Sequence, residues 1–379
     1  MTMVNEAGIG VEEIFETNGA KITVIGVGGG GCNTIAHLIA TGTYKDITLI
    51  AANTDGQALK SSNAKNKIRL GEKVTGGRGA GMRPEVGKQA AQECVEIIKE
   101  MVTGADIVFI AAGLGGGTGT GAAPVIAQIA KDAGALTISV VTKPFNFEGR
   151  KRAKIAEAGL QELKAVSDSI VVIPNDKLTG FVAKDAGLKA SFIHVDSVLA
   201  KAVNGISGMI INYGENDINV DFADLKTVMN HRGLALMGIG EATGVNAATV
   251  AVENAIASPL FDNVSINGAM GMLINFECHP DYPLLEITAA VSIIESMADE
   301  NADIIFGTCT STNTPTDHVR VTIVATGFEK PATPKEEIKS EPSFSLSKSA
   351  IEDIKLAGNG ETYQGIDLDK PAFLRHQKD

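Results

Sequence analysis

In the first half of the chain, near-continuous apolar runs alternate with stretches in which apolar residues recur every three or four positions. The runs Lys21–Val27, Ile47–Ala52, Asp106–Ala112, Ala135–Thr142 and Ser169–Pro174 predict strands. The periodic stretches Asn33–Ala40, Arg83–Val102, Ala122–Ala133 and Arg150–Val166 predict helices. Strands such as Ile107-Val108-Phe109-Ile110 show no polar alternation, as expected when helices cover both faces of a parallel sheet. The expected fold is therefore α/β, with a Rossmann-like parallel sheet over 21–189, preceded by a polar, flexible arm at 1–20.

From 190 to 212 the spacing changes to one long helix, with Val195, Val198, Leu199, Ala202, Val203, Ile206 and Ile210 on one stripe. Such a helix would be roughly 30 Å long at 1.5 Å per residue, enough to connect two domains. A smaller α/β unit over 213–328 follows, with helices at Phe222–Asn230, Ala247–Ala257 and Thr288–Ala298. Its strands are predicted at Leu234–Ile239, Met270–Phe276, Asp303–Gly307 and Val319–Thr326. Residues 329–364 are mostly rich in Lys, Glu, Ser and Pro and too poor in apolar residues to offset chain entropy, which predicts a disordered linker. Apolar residues return at Ile366, Leu368, Phe373 and Leu374, so 365–379 reads either as a docking peptide or as a frayed end.

Charge and cysteine content narrow the function classes. The net charge of −12 disfavours broad binding to nucleic acid or anionic lipid. It leaves open a small anion held by backbone amides, which act through fixed dipoles. No apolar run reaches 18 residues, and Met1–Glu16 carries four glutamates and no signal-peptide pattern, so a cytoplasmic protein is expected. Cys32, Cys94, Cys278 and Cys309 show no Cys-x-x-Cys spacing and predict neither a disulfide framework nor a structural metal site.

The 42 glycines are clustered. Gly26-Val27-Gly28-Gly29-Gly30-Gly31-Cys32-Asn33 follows the first strand and opens a helix, where a backbone without Cβ atoms can approach a phosphate. Its formal G-x-G-x-x-G match is weak alone, and a tight strand–helix turn would look the same. A second cluster, Gly113-Leu114-Gly115-Gly116-Gly117-Thr118-Gly119-Thr120-Gly121, also joins a strand to a helix. Two such loops at one sheet edge imply a ligand with several phosphates. A third cluster, Thr75–Gly81, is a further candidate phosphate loop, and no P-loop lysine motif is present.

Gly115–Gly121 resembles the signature loop of the tubulin/FtsZ family of GTPases. Asn53-Thr54-Asp55, Val141–Gly149, Pro174–Leu178 and Asn219–Asp224 resemble its FtsZ branch more than tubulin. The likeness spans about 20–328 and the last dozen residues. It implies a GTP-binding domain at 21–189, a connecting helix at 190–212 and a C-terminal domain at 213–328. It implies a phosphate cradle from Gly29, Gly30, Gly31, Cys32 and Asn33 and from Gly116, Gly117, Thr118 and Gly119, with Ala80 and Gly81 near the terminal phosphate. Glu148 and Arg152 would contact ribose; Asn175 and Asp196 would face guanine, with Phe192 stacked nearby. Cys32 departs from the glycine or asparagine usual at that position.

The resemblance further implies that Asp221 and Asp224, supported by Asn219, activate the attacking water in the nucleotide pocket of the next subunit. GTP and GDP are the implied ligands, with magnesium held mainly by the phosphates. It implies head-to-tail polymerisation, a role in the cytokinetic ring on the inner face of the membrane at mid-cell, and a C-terminal peptide, 365–379, that docks on membrane tethers and division regulators. Lys370 replaces the apolar residue usual before that peptide's proline. Without the resemblance, acids at a helix start are ordinary partners of the dipole. A nucleotide-binding oxidoreductase, using Gly26–Gly31 with Asp55, and a GTP-binding scaffold without turnover are the competing readings.

Overall fold

Runs of β-branched residues become strands here because both of their faces are buried, and the glycine clusters fall where those strands end. The computed structural model describes residues 19–42, 47–178, 187–211, 217–229, 233–258 and 268–328. The sequence readings for the N-terminal arm up to residue 18, the linker and the C-terminal peptide lie outside the described residues.

The first half begins with β1 (Ile22–Val27), α1 (Gly28–Ala40), β2 (Ile47–Asn53), α2 (Gly56–Ser61), β3 (Asn66–Arg69) and α3 (Glu72–Thr75). It continues with α4 (Pro84–Gln92), α5 (Val95–Val102), β4 (Ile107–Gly113), α6 (Thr118–Asp132) and β5 (Leu136–Lys143). A 3-10 turn at Asn146–Glu148 leads to α7 (Arg150–Val166), β6 (Ser169–Pro174) and α8 (Asn175–Leu178). The long helix α9 (Leu188–Ile211) is followed by α10 (Phe222–Met229), β7 (Gly233–Thr243) and α11 (Ala247–Ile256). Then come β8 (Gly271–Cys278), α12 (Leu284–Glu295), β9 (Asp303–Thr310) and β10 (His318–Thr326).

The strands form one ten-stranded sheet in the order β3-β2-β1-β4-β5-β6-β7-β10-β8-β9. From β3 to β7 every pairing is parallel. Antiparallel β10 then sits between β7 and β8, and β9 pairs with β8 in parallel. The parallel register of β6 with β7, Ser169 opposite Gly233 and Val171 opposite Ala235, joins the two halves.

Two cores flank the parallel strands. One holds Ile25, Ile110, Ile126 and Leu160 beneath α4 to α7. The other gathers Ile35 and Leu38 of α1, Val203 and Ile206 of α9 and Leu225 of α10 against the opposite face, and runs on to Leu273 and Val324. A third core, around Phe276, Ala251 and Ile287, lies under α11 and α12. Helix α9 therefore shares its core with both halves of the sheet. It lies close to β10: a Cβ at Gly205 would fall 2.9 Å from Thr322 Cγ2.

Two expectations change. The single helix expected over Arg83–Val102 is broken between α4 and α5. There the Glu93 carboxylate accepts the Lys73 and Val74 N–H groups at 3.0 and 3.3 Å, and the Cys94 thiol reaches the Arg69 carbonyl at 3.5 Å. These contacts hold the chain at the break more firmly than helix propensity would continue it. The glycine clusters, expected as loops before Asn33 and Ala122, turn helical earlier than expected: α1 starts at Gly28 and α6 at Thr118, while Leu114–Gly117 remains a loop.

Candidate nucleotide site

Helices α1 and α6 start from adjacent strands, β1 and β4, at the carboxyl edge of the parallel sheet. Each begins without a side-chain cap and without an acidic residue in its first turn. The first amides of a helix have no partner within it, so both starts present free donors and positive dipole ends. The two starts touch. A Cβ at Gly28 would lie 2.9 Å from the Gly119 nitrogen and 3.3 Å from Thr118 Cβ, and one at Gly30 would lie 3.4 Å from the Gly113 nitrogen. Two converging helix starts form a cradle for more than one negative charge.

The third cluster forms a further wall. A Cβ at Gly117 would fall 2.7 Å from Ala80 Cβ and 3.0 Å from the Arg83 nitrogen. The 75–81 segment is tied to the end of β2: the Gly56 N–H donates to the Gly77 carbonyl at 3.0 Å, and the Gly79 N–H to the Thr54 carbonyl at 3.2 Å. Gly81 has a positive φ of 56° and open space where a Cβ would stand. The same openness holds at Gly29 and Gly116, whereas Gly31 and Gly119 are filled by backbone, with Ala111 O and Gly113 O 2.2 and 2.3 Å from the positions of their Cβ atoms. Gly31 and Gly119 are thus demanded by the chain's own packing. Gly29 and Gly116 border the space a ligand would fill.

Cys32 is buried beside this cradle, where Asn53 Nδ2 donates to its sulfur at 3.9 Å. Burial pushes its thiol up to about 11, only partly offset by the hydrogen bonds from Asn53 and to Ala52, so it stays protonated at neutral pH. Asn33 and Asp196 are brought together: the Asn33 side chain hydrogen-bonds the Asp196 carboxylate across the packed α1 and α9. Burial raises Asp196 to about 6, against the lowering effect of Asn33. Asn175, at the carboxyl end of β6, is buried, and its Oδ1 has no hydrogen-bond partner. Leaving such an oxygen unsatisfied costs about 1–3 kcal/mol, which a ligand N–H would relieve.

Phe192 on α9 is 38% exposed and meets Phe145 edge to face at 5.6 Å. Phe145 stacks on Phe147 at 5.0 Å, giving an aromatic shelf. Glu148 ends the 3-10 turn, accepts the Phe145 N–H at 2.9 Å and pairs with Arg152 of α7. Arg152 also reaches the glycine loop, since a Cβ at Gly115 would fall 3.1 Å from its carbonyl. The structure therefore gathers three glycine clusters at one edge and builds two further groups beside them. Asn33 meets Asp196, and the Phe192–Phe145 contact reaches the turn that Glu148 closes.

The acids lie elsewhere. Asp221 and Asp224 bracket the first turn of α10, where the Asp224 N–H donates to Asp221 Oδ1 at 2.7 Å and the Asp221 N–H to Asp224 Oδ2 at 3.4 Å. This is a reciprocal cap. Phe222 and Lys226 of α10 line a groove of about 430 Å³ together with Asp106, Leu136 and Asp168, which stand at or just before the starts of β4, β5 and β6. The acid pair thus sits beside the amino edge of the sheet, and the cradle lies at the carboxyl edge. Strands of 7 and 8 residues separate the edges, a span of about 23–26 Å. Asn219 is exposed just before the pair. Its neighbours are clamped: the Ile218 N–H donates to Thr308 Oγ1 at 2.8 Å, and Val220 is buried against Gly307.

The sequence reading assigned no role to Thr54, Val220 or Asp217. Thr54 directly follows β2 and is fully buried beside the cradle. Val220 and Asp217 fix the acid-bearing segment to β9, with Asp217 Oδ2 accepting the Thr310 N–H at 3.1 Å. Only the position of Thr54, just past a parallel strand, signals function in the sequence.

This architecture, a parallel sheet with converging uncapped helix starts and a long helix into a second half-sheet, is that of the tubulin-like GTPases. Residues 21–183 match the Tubulin/FtsZ family GTPase domain, and 233–329 the FtsZ family C-terminal domain. The chain is 49% identical over 375 residues to the cell division protein FtsZ of Helicobacter pylori strain 26695, covering 97% of this chain and 96% of that protein. An FtsZ dimer structure from M. jannaschii superposes with a TM-score of 0.78 at 46% identity, covering 84% of this chain and 91% of that one. CetZ1 of Haloferax volcanii shares the fold at 20% identity, with a TM-score of 0.68 and coverage of 83% and 96%. The chain belongs to the FtsZ family, the cell-division branch of the tubulin/FtsZ GTPases.

The buried carboxyl makes one stability prediction. A folded-state value of about 6 for Asp196, against an ordinary 3.8, means that the ionised group opposes folding at neutral pH. The penalty is at most about 3 kcal/mol, and partial exposure to water reduces it to about 1–2 kcal/mol. Because the folded value is raised, stability increases as pH falls from about 6 towards 4. Asp196→Asn removes that dependence and raises the melting temperature of nucleotide-free protein at pH 7.5 by about 2–4 °C. Melting curves across pH 4–8 check it; a variant that melts lower at pH 7.5 refutes the assignment.

Proposed function

We propose that this protein binds GTP in the cradle, stacks head to tail with copies of itself, and hydrolyses GTP at each contact between copies. The observation that carries the reading is the separation of Asp221 and Asp224 from the glycine clusters by the height of the sheet. One chain cannot bring the two halves together, whereas the lower edge of one copy meeting the upper edge of the next can. The relative solved as a dimer is consistent with self-association.

Each group then has a task. The free amides of α1 and α6 and the 75–81 segment hold the phosphates. Asp196, once ionised, accepts from the guanine N1–H and N2–H₂, and Asn175 Oδ1 accepts from a further donor of the ligand. Adenine offers no such edge to a carboxylate. Glu148 and Arg152 contact the ribose, and Phe192 stacks near the base. Asp221 and Asp224 of the neighbouring copy, supported by Asn219, orient and polarise the attacking water. Phosphoryl transfer depends mainly on such positioning and charge.

Among the described residues no group of three or more His, Cys, Asp or Glu could hold a metal ion. Magnesium would be held by the phosphates and waters, where it neutralises charge. Polymers of this kind form the ring at the bacterial division site on the inner face of the membrane. The chain's last segment, 365–379, serves as the docking peptide for tethers and regulators. Among the described residues no helix is long and apolar enough to cross a membrane.

The deciding experiment measures GTP turnover per subunit against protein concentration, with light scattering in parallel. Turnover per subunit is expected to rise steeply once scattering appears. A dilute monomer that turns over GTP as fast per subunit as a concentrated sample overturns the reading.

A further inference from the structure

Thr54 is fully buried at the carboxyl end of β2, and three segments meet on it. Its hydroxyl forms a 2.7 Å hydrogen bond with the hydroxyl of Thr118, the first residue of α6. Its carbonyl accepts the Gly79 N–H at 3.2 Å, and the Thr75 hydroxyl, which donates to the Gly71 carbonyl at 2.9 Å, lies 3.4 Å from it. One residue therefore ties the wall formed by residues 75–81 to the wall formed by the start of α6. Thr118 itself lies between the two helix starts, with its Cβ 3.3 Å from where a Gly28 Cβ would stand.

The geometry points to Thr54 as a positioning residue that makes the cradle favour a nucleoside triphosphate over a diphosphate. This rests on the reading of the cradle as the GTP site. A hydroxyl has one proton. If Thr118 donates it to a phosphate oxygen, its bond with Thr54 survives only with Thr54 as donor. An anion in the cradle therefore selects that orientation, and Thr54 holds the Thr118 proton towards the ligand. At the same time the Thr54 carbonyl keeps the 75–81 wall at a fixed distance from α6. A diphosphate can rest on the two helix starts alone. A triphosphate, being longer, spans both walls and gains from their being held together.

The test uses the full-length, nucleotide-free protein, kept below the concentration at which it scatters light. Affinities for GTP and GDP are measured for wild type, Thr54→Val and Thr54→Ser. Valine keeps the shape and removes the hydroxyl; serine restores the hydroxyl. Thr54→Val is expected to lower the GTP-over-GDP affinity ratio about tenfold, the scale of one charge-assisted hydrogen bond. Thr54→Ser is expected to keep the ratio within about twofold of wild type, well inside that scale. A purely structural role would lower both affinities together and leave the ratio unmoved, and that result overturns the inference.

Thr118→Val approaches the same bond from its other end and carries the test should Thr54→Val fail to fold. It is expected to lower the ratio, and adding Thr54→Val to it should lower the ratio no further. An unchanged ratio in Thr118→Val, or independent losses in the double variant, overturns the inference. Absence of GTP binding in wild type would instead overturn the underlying reading of the cradle.

Discussion

Asp221→Asn and Asp224→Ala are each expected to abolish GTP turnover, a loss of about 10²–10⁴-fold, the scale of a positioned acid or base, while GTP binding stays nearly unchanged. The choice of asparagine at 221 matters. Asp221 accepts the Asp224 N–H and so caps α10, and asparagine caps a helix as well as aspartate does. The substitution therefore removes charge and spares the fold. Asp224→Ala removes the weaker, 3.4 Å arm of the reciprocal cap and costs about 1 kcal/mol or less. Because the acids lie at the opposite sheet edge from the cradle, the loss should be complementable. Mixing Asp221→Asn with Asp196→Asn, which is expected not to bind GTP, pairs an intact pocket on one copy with intact acids on the other and restores measurable turnover. Phosphate release from each variant alone and from the mixture decides the matter. Unchanged turnover in Asp221→Asn removes the acids from the reaction, and a mixture no more active than its parts removes the shared site.

The second large effect separates glycines that the fold needs from glycines that the ligand needs. Gly119→Ala would place a Cβ 2.3 Å from the Gly113 carbonyl oxygen. Backbone must shift, at a cost of about 2–4 kcal/mol in stability, and nucleotide binding is lost with it. Gly29→Ala meets nothing within 4 Å and stands in the first turn of α1. There alanine is the better helix former, so the nucleotide-free protein is expected to gain up to about 1 kcal/mol. The same methyl protrudes into the cradle, so GTP affinity falls at least about tenfold, roughly 1.4 kcal/mol. Urea unfolding midpoints set beside nucleotide titrations read both effects. A Gly29→Ala protein with full GTP affinity would mean that the first cluster does not line the ligand.

Strands buried on both faces announce themselves, and β1, β2, β4, β5 and β6 lie within about a residue of where their apolar runs predict them. The edge strand β3 does not, because in Asn66–Arg69 only Ile68 is buried and the rest is polar. Helix starts at glycine are likewise hidden. Periodicity needs side chains, so α1 and α6 became visible only from Asn33 and Ala122 onward. The β6–β7 pairing that makes one sheet of two halves joins residues about 64 apart, Ser169 with Gly233, and no local pattern encodes such a register.

In the site, the clusters were legible as candidate phosphate loops because glycine spacing after a strand has a direct physical meaning. The partners of Asp196 and Phe192 were not legible from periodicity, because long-range packing of α9 against Asn33 of α1 and against Phe145 creates them, whereas Glu148 finds Arg152 only four residues on. Resemblance, rather than spacing, supplied their expected roles. Thr54 was quoted as part of a motif, yet only its 2.7 Å contact with Thr118 reveals what it holds.

A cradle whose first contacts are peptide amides has an unusual permanence. A lysine ammonium can lose its proton or be acylated, and either event erases its attraction for an anion. The N–H groups at the starts of α1 and α6 do not titrate and offer no amine to modify. With those amides holding the phosphates as proposed, acetylation would find no group to act on in the cradle, and control would fall to whatever governs how copies meet.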